Sequence, residues 1–115
     1  MTQVSPIRVI LADDHNLVRQ GIRSLLDKAA DIEVVGEASD GQEALRLVAR
    51  LEPSVLVADV AMPRMDGLQA VERVRSLQCG TRTVVLSMYA DETLVRQALR
   101  NGARGYLLKR SVTEE

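Results

Sequence analysis

Apolar and polar positions follow two rhythms along this chain. Ile7–Ala12, Val55–Ala58, Thr83–Leu86 and Tyr106–Leu108 are short runs with few polar positions. They read as parallel strands, the middle two covered on both faces. A further run, Val34–Ala38, is interrupted by Gly36 and Glu37 and is expected at a sheet edge. Between the runs the apolar spacing changes to that of a helix. Leu17, Val18, Ile22, Leu25, Leu26 and Ala29 fall on one helical face. Asp40 and Glu43 have the form of a capping box, with Ala44, Leu45, Val48 and Leu51 as the core stripe and Pro53 as the stop. Asp66 and Gln69 repeat that signal around Leu68, Val71, Val74 and Leu77. Asp91 caps a fourth helix carrying Leu94, Val95, Ala98 and Leu99, closed by Asn101-Gly102.

The order βαβαβαβαβ predicts an α/β fold, a doubly wound five-stranded parallel sheet with helices on both faces. The flavodoxin-like strand order 2-1-3-4-5 is favoured because it sets Asp13-Asp14 and Asp59 on either side of the topological switch point. No repeat or internal linker breaks residues 1–115, so one domain is expected.

Composition narrows the setting. A formal net charge of −1 gives no reason to expect a chain that coats nucleic acid or an anionic membrane. The start, MTQVSPIRVI, lacks the parts of a signal peptide. No apolar run approaches the roughly 20 residues of a membrane span. Cys79 has no partner in the chain and reads as a bystander thiol in a reducing compartment. The expected location is the cytoplasm.

The chemistry sits where the runs end. Four of them lead into Asp13-Asp14, Asp59, Ser87 and Lys109. In a parallel sheet these residues gather at the carboxyl edge, where open α/β sheets hold their ligands. The first loop, Asp13-Asp14-His15, is acidic, whereas a naked phosphate would ask for a glycine-rich turn. A hard divalent cation reverses that preference, and Mg2+ suits carboxylates plus water. Asp59, at the tip of the central strand, is the natural nucleophile for phosphoryl transfer. Lys109 and Ser87 are placed to contact phosphoryl oxygens. His15 reads as a partly exposed surface residue, Asp66 as a helix cap, and Met62 and Met65 as loop packing.

Asp13-Asp14, Asp59 with the following Val-Ala-Met-Pro-Arg-Met-Asp-Gly67, Ser87, and Gly105-Tyr-Leu-Leu-Lys109 resemble the receiver domain of bacterial two-component response regulators. The likeness covers essentially the whole chain. Ala12-Asp-Asp-His15, Val35-Gly-Glu-Ala38 and Asp40-Gly41 resemble the subfamily whose receivers precede a LuxR-type helix-turn-helix. The resemblance implies that Asp59 accepts a phosphoryl group from a sensor histidine kinase. It implies Mg2+ held by the side chains of Asp14 and Asp59 and the carbonyl of Ala61, with Asp13 acting largely through water. Ser87 and Tyr106 match the pair that couples phosphorylation to the far face, where self-association through the fourth helix and fifth strand is expected. DNA would be reached only through a C-terminal domain. No enzyme activity is implied beyond autocatalytic phosphoryl acceptance and slow self-dephosphorylation. Arg110 follows Lys109 where many members have a proline, and Met88 and Tyr89 are bulky beside Ser87.

Three other readings fit less well. A receiver-shaped module that takes no phosphate is opposed by the intact set Asp13, Asp14, Asp59, Ser87 and Lys109. Phosphatases with an aspartyl-phosphate intermediate commonly carry a second Asp two places after the nucleophile, and Ala61 stands there. An FMN protein is opposed by the acidic loop and by two tyrosines with no Trp or Phe. At the other end, Ser111 and Glu114 have the form of a capping box at Ser111. The chain is therefore expected to carry only the start of a fifth helix, as a piece of a longer regulator.

Overall fold

Five parallel strands form one sheet in the computed structural model, which describes residues 5–113. The strands are β1 (Ile7–Ala12), β2 (Ile32–Ala38), β3 (Val55–Asp59), β4 (Arg82–Ser87) and β5 (Gly105–Leu108). Between and after them run α1 (Asn16–Asp27), α2 (Gly41–Leu51), α3 (Gly67–Leu77), α4 (Glu92–Asn101) and α5 (Lys109–Thr113). The strand order is β2-β1-β3-β4-β5, as expected from the sequence. β2 lies at the edge, and its register against β1 skips from Val34 to Gly36, a bulge at Val35. Gly36 sits beside this bulge, where a Cβ would come into ordinary contact with Leu47 Cδ1 of α2, at 3.4 Å.

The strand residues split by the period of two. Ile10, Ala12, Leu56 and Ala58 face α2 and the middle of α3 through Ala44, Val48 and Val74. Val85 packs with Leu68 and Val71 of α3 and Ala98 of α4. Leu11 and Leu86 face the other side, against Ile22 of α1 and Val112 of α5. Ile10, Leu11, Leu56 and Leu86 are at most 1% exposed. Each such side chain contributes about 2 kcal/mol through burial.

Some expected core positions are not in the core. Leu17 is 83% exposed and Leu99 51% exposed, with Leu77 also on the surface. Leu17 lies in the first turn of α1, close to the sheet's carboxyl edge, and Ile22 one turn later is the buried residue. At the other end, Ser111 is not an N-cap, because α5 starts at Lys109, directly after β5. With no free helix start at Ser111, the capping box has nothing to cap. Its other member, Glu114, lies outside the described residues. No peptide bond among the described residues is cis, the one before Arg110 included.

Helix starts follow the capping residues closely. Asp66 and Gln69 form the complete reciprocal box, and Asp91 accepts from the amides of Thr93 and Leu94. Asp40 accepts from the Glu43 amide at 2.8 Å. The Glu43 carboxylate reaches back to the Ser39 amide rather than to that of Asp40. Asp40 has a second duty, since its Oδ2 accepts from Arg64 Nε and Nη2 at 2.9 and 2.7 Å. The Glu43 amide, then Arg64, hold the Asp40 carboxyl below its ordinary value against the opposing effect of burial.

Replacing Asp40 with Ala is expected to remove about 1–2 kcal/mol, from the cap and the lost Arg64 pair together. The folded-state value of Asp40 lies below the unfolded one, so its ionic contribution is complete above about pH 4. It fades as pH falls through the depressed value. Urea unfolding of parent and variant at pH 7 and pH 3 measures this, and the gap should be smaller at pH 3.

Candidate functional site

Asp59 ends β3, Ser87 ends β4, and Lys109 follows β5, while Asp13, Asp14 and His15 make the loop after β1. The register pairs Ala12 with Ala58, Asp59 with Leu86, and Ser87 with Leu108. All the polar ends therefore reach one edge at one height. Asp13, Asp59, Ser87 and Lys109 are 0–3% exposed. Lys109 Nζ lies 2.8 Å from Asp59 Oδ2 and 3.0 Å from Asp13 Oδ2. Asp13 Oδ2 is fully buried and receives no well-directed hydrogen bond, so its contact with Lys109 is one of charge. The Ala61 amide donates to Asp59 Oδ1 at 3.3 Å.

His15 belongs to the cluster more than its sequence suggested. Its ring is 59% exposed, but Nδ1 lies 3.3 Å from both Asp13 Oδ1 and Asp14 Oδ1 and 3.9 Å from Asp59 Oδ2. One ligand atom from each of Asp13, Asp14, His15 and Asp59 lies within 4.8 Å of the others. That donor set, carboxylate oxygen with one imidazole at the rim, fits a hard divalent cation.

Electrostatics are those of an acidic site with one resident cation. Burial pushes the Asp59 carboxyl above its ordinary value and the Asp13 charge adds to this, while the Lys109 hydrogen bond opposes both. Burial alone would lower the Lys109 ammonium, but its contacts with Asp59 and Asp13 outweigh burial and raise it. Lys109 therefore stays charged at neutral pH.

The loop that carries Asp59 into α3 is held by close backbone packing. A Cβ on Gly67 would lie 2.2 Å from the Asp59 carbonyl oxygen, and one on Gly41 would lie 2.1 Å from that of Met65. The amides of these glycines donate to Val60 O and Met65 O, both at 3.0 Å. Arg64 adopts a left-handed φ of 66° within this loop, tied down by its two bonds to Asp40. Met62 is buried in the core, and Asp66 caps α3 and takes no part in the cluster. Each glycine directly follows an Asp cap, which was the available signal for this role.

Ser87 Oγ accepts from the Tyr89 amide at 3.0 Å, and the Tyr106 hydroxyl donates to the Tyr89 carbonyl at 2.9 Å. The backbone of Tyr89 thus joins the two residues. Tyr106 is half-buried against the α3–β4–α4 cluster. A cavity of about 200 Å³ opens beside Asp59, Ala61, Ser87 and Lys109, lined also by Met88 and Tyr89. A larger crevice of about 500 Å³ lies at the amino edge of the sheet near Arg75, Arg82 and Arg104, remote from these groups. Cys79 is free and half-buried, with Sγ 3.4 Å from Thr81 Oγ1.

The family model for the response regulator receiver domain matches residues 9–115. The chain belongs to the response regulator receiver family. This receiver is 40% identical over 109 residues to the nitrate/nitrite response regulator protein NarL of Escherichia coli, covering 95% of this chain and 50% of that protein. Among solved structures it matches the signal receiver domain of a NarL response regulator from Mycobacterium tuberculosis, at 42% identity and a TM-score of 0.90, covering 92% of this chain and 86% of that one. A LuxR-family DNA-binding response regulator from Staphylococcus aureus matches at 27% identity and a TM-score of 0.86, covering 94% and 91%. The receiver spans about half the length of the curated relatives it matches. No helix among the described residues is long and apolar enough to cross a membrane.

Gly67→Ala should disturb this receiver's site rather than only its stability. The added methyl group meets backbone, which cannot swing aside, so a loss of about 3 kcal/mol or more is expected. The β3–α3 loop should shift with it. Thermal unfolding gives the first effect, and amide NMR shifts spread over Asp59–Ala61 report the second.

Proposed function

We propose that this domain, residues 1–115, is the phosphorylation-driven switch of a two-component system. Asp59 takes a phosphoryl group from a sensor histidine kinase. The observation that carries the reading is the buried Asp59 carboxylate at the end of β3, 2.8 Å from Lys109 Nζ and within one cluster of oxygen donors.

An Asp59 oxygen attacks phosphorus while the bond from phosphorus to the donor's imidazole nitrogen breaks, and that nitrogen keeps the electron pair. Lys109 offers a charged hydrogen bond to a phosphoryl oxygen, and the Ser87 hydroxyl offers another. Asp14, Asp59 and the Ala61 carbonyl would hold Mg2+, with Asp13 acting through water. Bound there, Mg2+ supplies the charge neutralisation that three converging carboxylates lack. When Ser87 turns toward the new phosphoryl group it gives up the Tyr89 amide, and the freed Tyr89 backbone shifts the carbonyl that holds Tyr106. The α4–β5 surface then changes shape and favours self-association, a two-state packing change. The output is transcription through a DNA-binding domain beyond this chain, as the LuxR-family relatives suggest. The reading keeps the domain in the cytoplasm.

Incubation with acetyl phosphate and Mg2+ should add one phosphoryl group by intact mass, and Asp59→Asn should add none. Borohydride trapping should mark a single aspartate. Label on Asp13 or Asp14, or equal labelling in excess EDTA, would overturn the reading. The phosphorylated state should also decay slowly, because Ala61 presents no polar side chain to hold an attacking water and the bulky Tyr89 lines the cavity. Ala61→Asn and Tyr89→Glu should each speed the loss of phosphate followed by mass. Unchanged rates in both would remove this account of the lifetime.

A further inference from the structure

Asp13 reaches the cluster from a backbone held on both sides of its Cα. Its amide donates to Ala38 O at the end of β2, at 2.9 Å. Its carbonyl accepts from Arg19 Nη1 at 2.5 Å. The same guanidinium donates from Nε to Glu37 Oε1 at 2.9 Å and from Nη2 to Asn16 Oδ1 at 2.8 Å. A planar fork fixed at three corners sets position as well as charge. Arg19 is 17% and Glu37 27% exposed, so the pair is shielded from much of the solvent. Glu37 is also gripped by Arg23, one turn further along α1. Burial pushes the Glu37 carboxyl up, but the hydrogen bonds from Arg23 and Arg19 outweigh it and hold it below its ordinary value. The anchor is thus ionised throughout the neutral range.

The loop held in this way has a reason to move. Asp13, Asp14 and Asp59 repel one another, and Asp14, exposed at the rim, is the one free to swing outward. Its direction is set by the peptide that joins it to Asp13. That peptide's oxygen is the atom Arg19 holds.

We propose that Arg19 is a positioning residue for the metal-binding loop: braced on Glu37, it fixes the Asp13–Asp14 peptide so that both carboxylates stay turned toward Asp59. This rests on the switch reading of the site. Arg19 donates to none of the clustered carboxylates and reaches Asp13 only at its backbone carbonyl.

Arg23 separates this role from simple cross-linking of α1 to β2, because it bonds the same Glu37 without touching Asp13. Mn2+ binding, followed by the electron paramagnetic resonance of the free ion, is measured for the parent, Arg19→Ala, Arg19→Lys and Arg23→Ala, with thermal midpoints alongside. Arg19→Ala should weaken Mn2+ roughly tenfold or more, as loss of an orienting partner behind metal ligands does, and Arg23→Ala should stay within about twofold. The Asp13 carbonyl 13C resonance should move upfield in Arg19→Ala and hold still in Arg23→Ala. If Arg19→Ala does not fold, Arg19→Lys carries the test. Lysine keeps the charge but loses the fork, so weakened Mn2+ with a near-parental midpoint supports the proposal. Parental Mn2+ affinity in the folded Arg19 variant, or equal weakening in the Arg23 variant, overturns it. A parent chain that binds no Mn2+ overturns the switch reading and this inference with it.

Discussion

Like charges forced together at the carboxyl edge of the sheet are the constraint on which the rest of this structure depends. Three carboxylates face one another, with Lys109 as the buried cation among them. Hydrophobic burial supplies the means: Leu11, Leu56 and Leu86 seat β1, β3 and β4 so firmly that their polar ends have fixed heights. What the core does not hold is held locally. Asp40 and Arg64 tie down the loop after β3, and two close glycine contacts press that loop against neighbouring backbone. Stability made elsewhere offsets an arrangement that is unfavourable on its own.

Most of the fold was legible because its signals are local. An apolar run says strand, an Asp three residues before a Glu or Gln says helix start, and both survived with boundaries moved by a residue or two. The failures share a cause, which is that they depend on what lies across from a residue. Leu17 and Leu99 have helical spacing, but periodicity does not say where the sheet beneath ends. Ser111 has a capping pattern but no helix start to cap, because β5 runs straight into α5. Glu43 caps one residue earlier than expected, at Ser39.

The site divides the same way. Asp13, Asp14, Asp59, Ser87 and Lys109 stand at strand ends, so strand order alone was enough to gather them. His15 looked like a surface residue because its neighbours in the cluster include Asp59 and Lys109, far off in sequence. The Arg19–Glu37 pair needed the register of β1 against β2, bulge included, before the two could be seen to meet. The link from Ser87 to Tyr106 passes through the main chain of Tyr89, which no side-chain pattern encodes.

The cavity beside Asp59 has about 200 Å³ of space, below the roughly 300–1,000 Å³ of pockets that enclose a whole small-molecule ligand. It has room for a transferred group but not for the body that delivers it. Under the proposed switch reading, a donor, whether protein or small molecule, would stay outside and present its phosphorus at the mouth. Discrimination among donors then falls to the surface around that mouth, where His15, Leu17, Met88 and Tyr89 are exposed. On that reading the interior fixes the chemistry and the rim fixes the choice of donor, so the two could change independently.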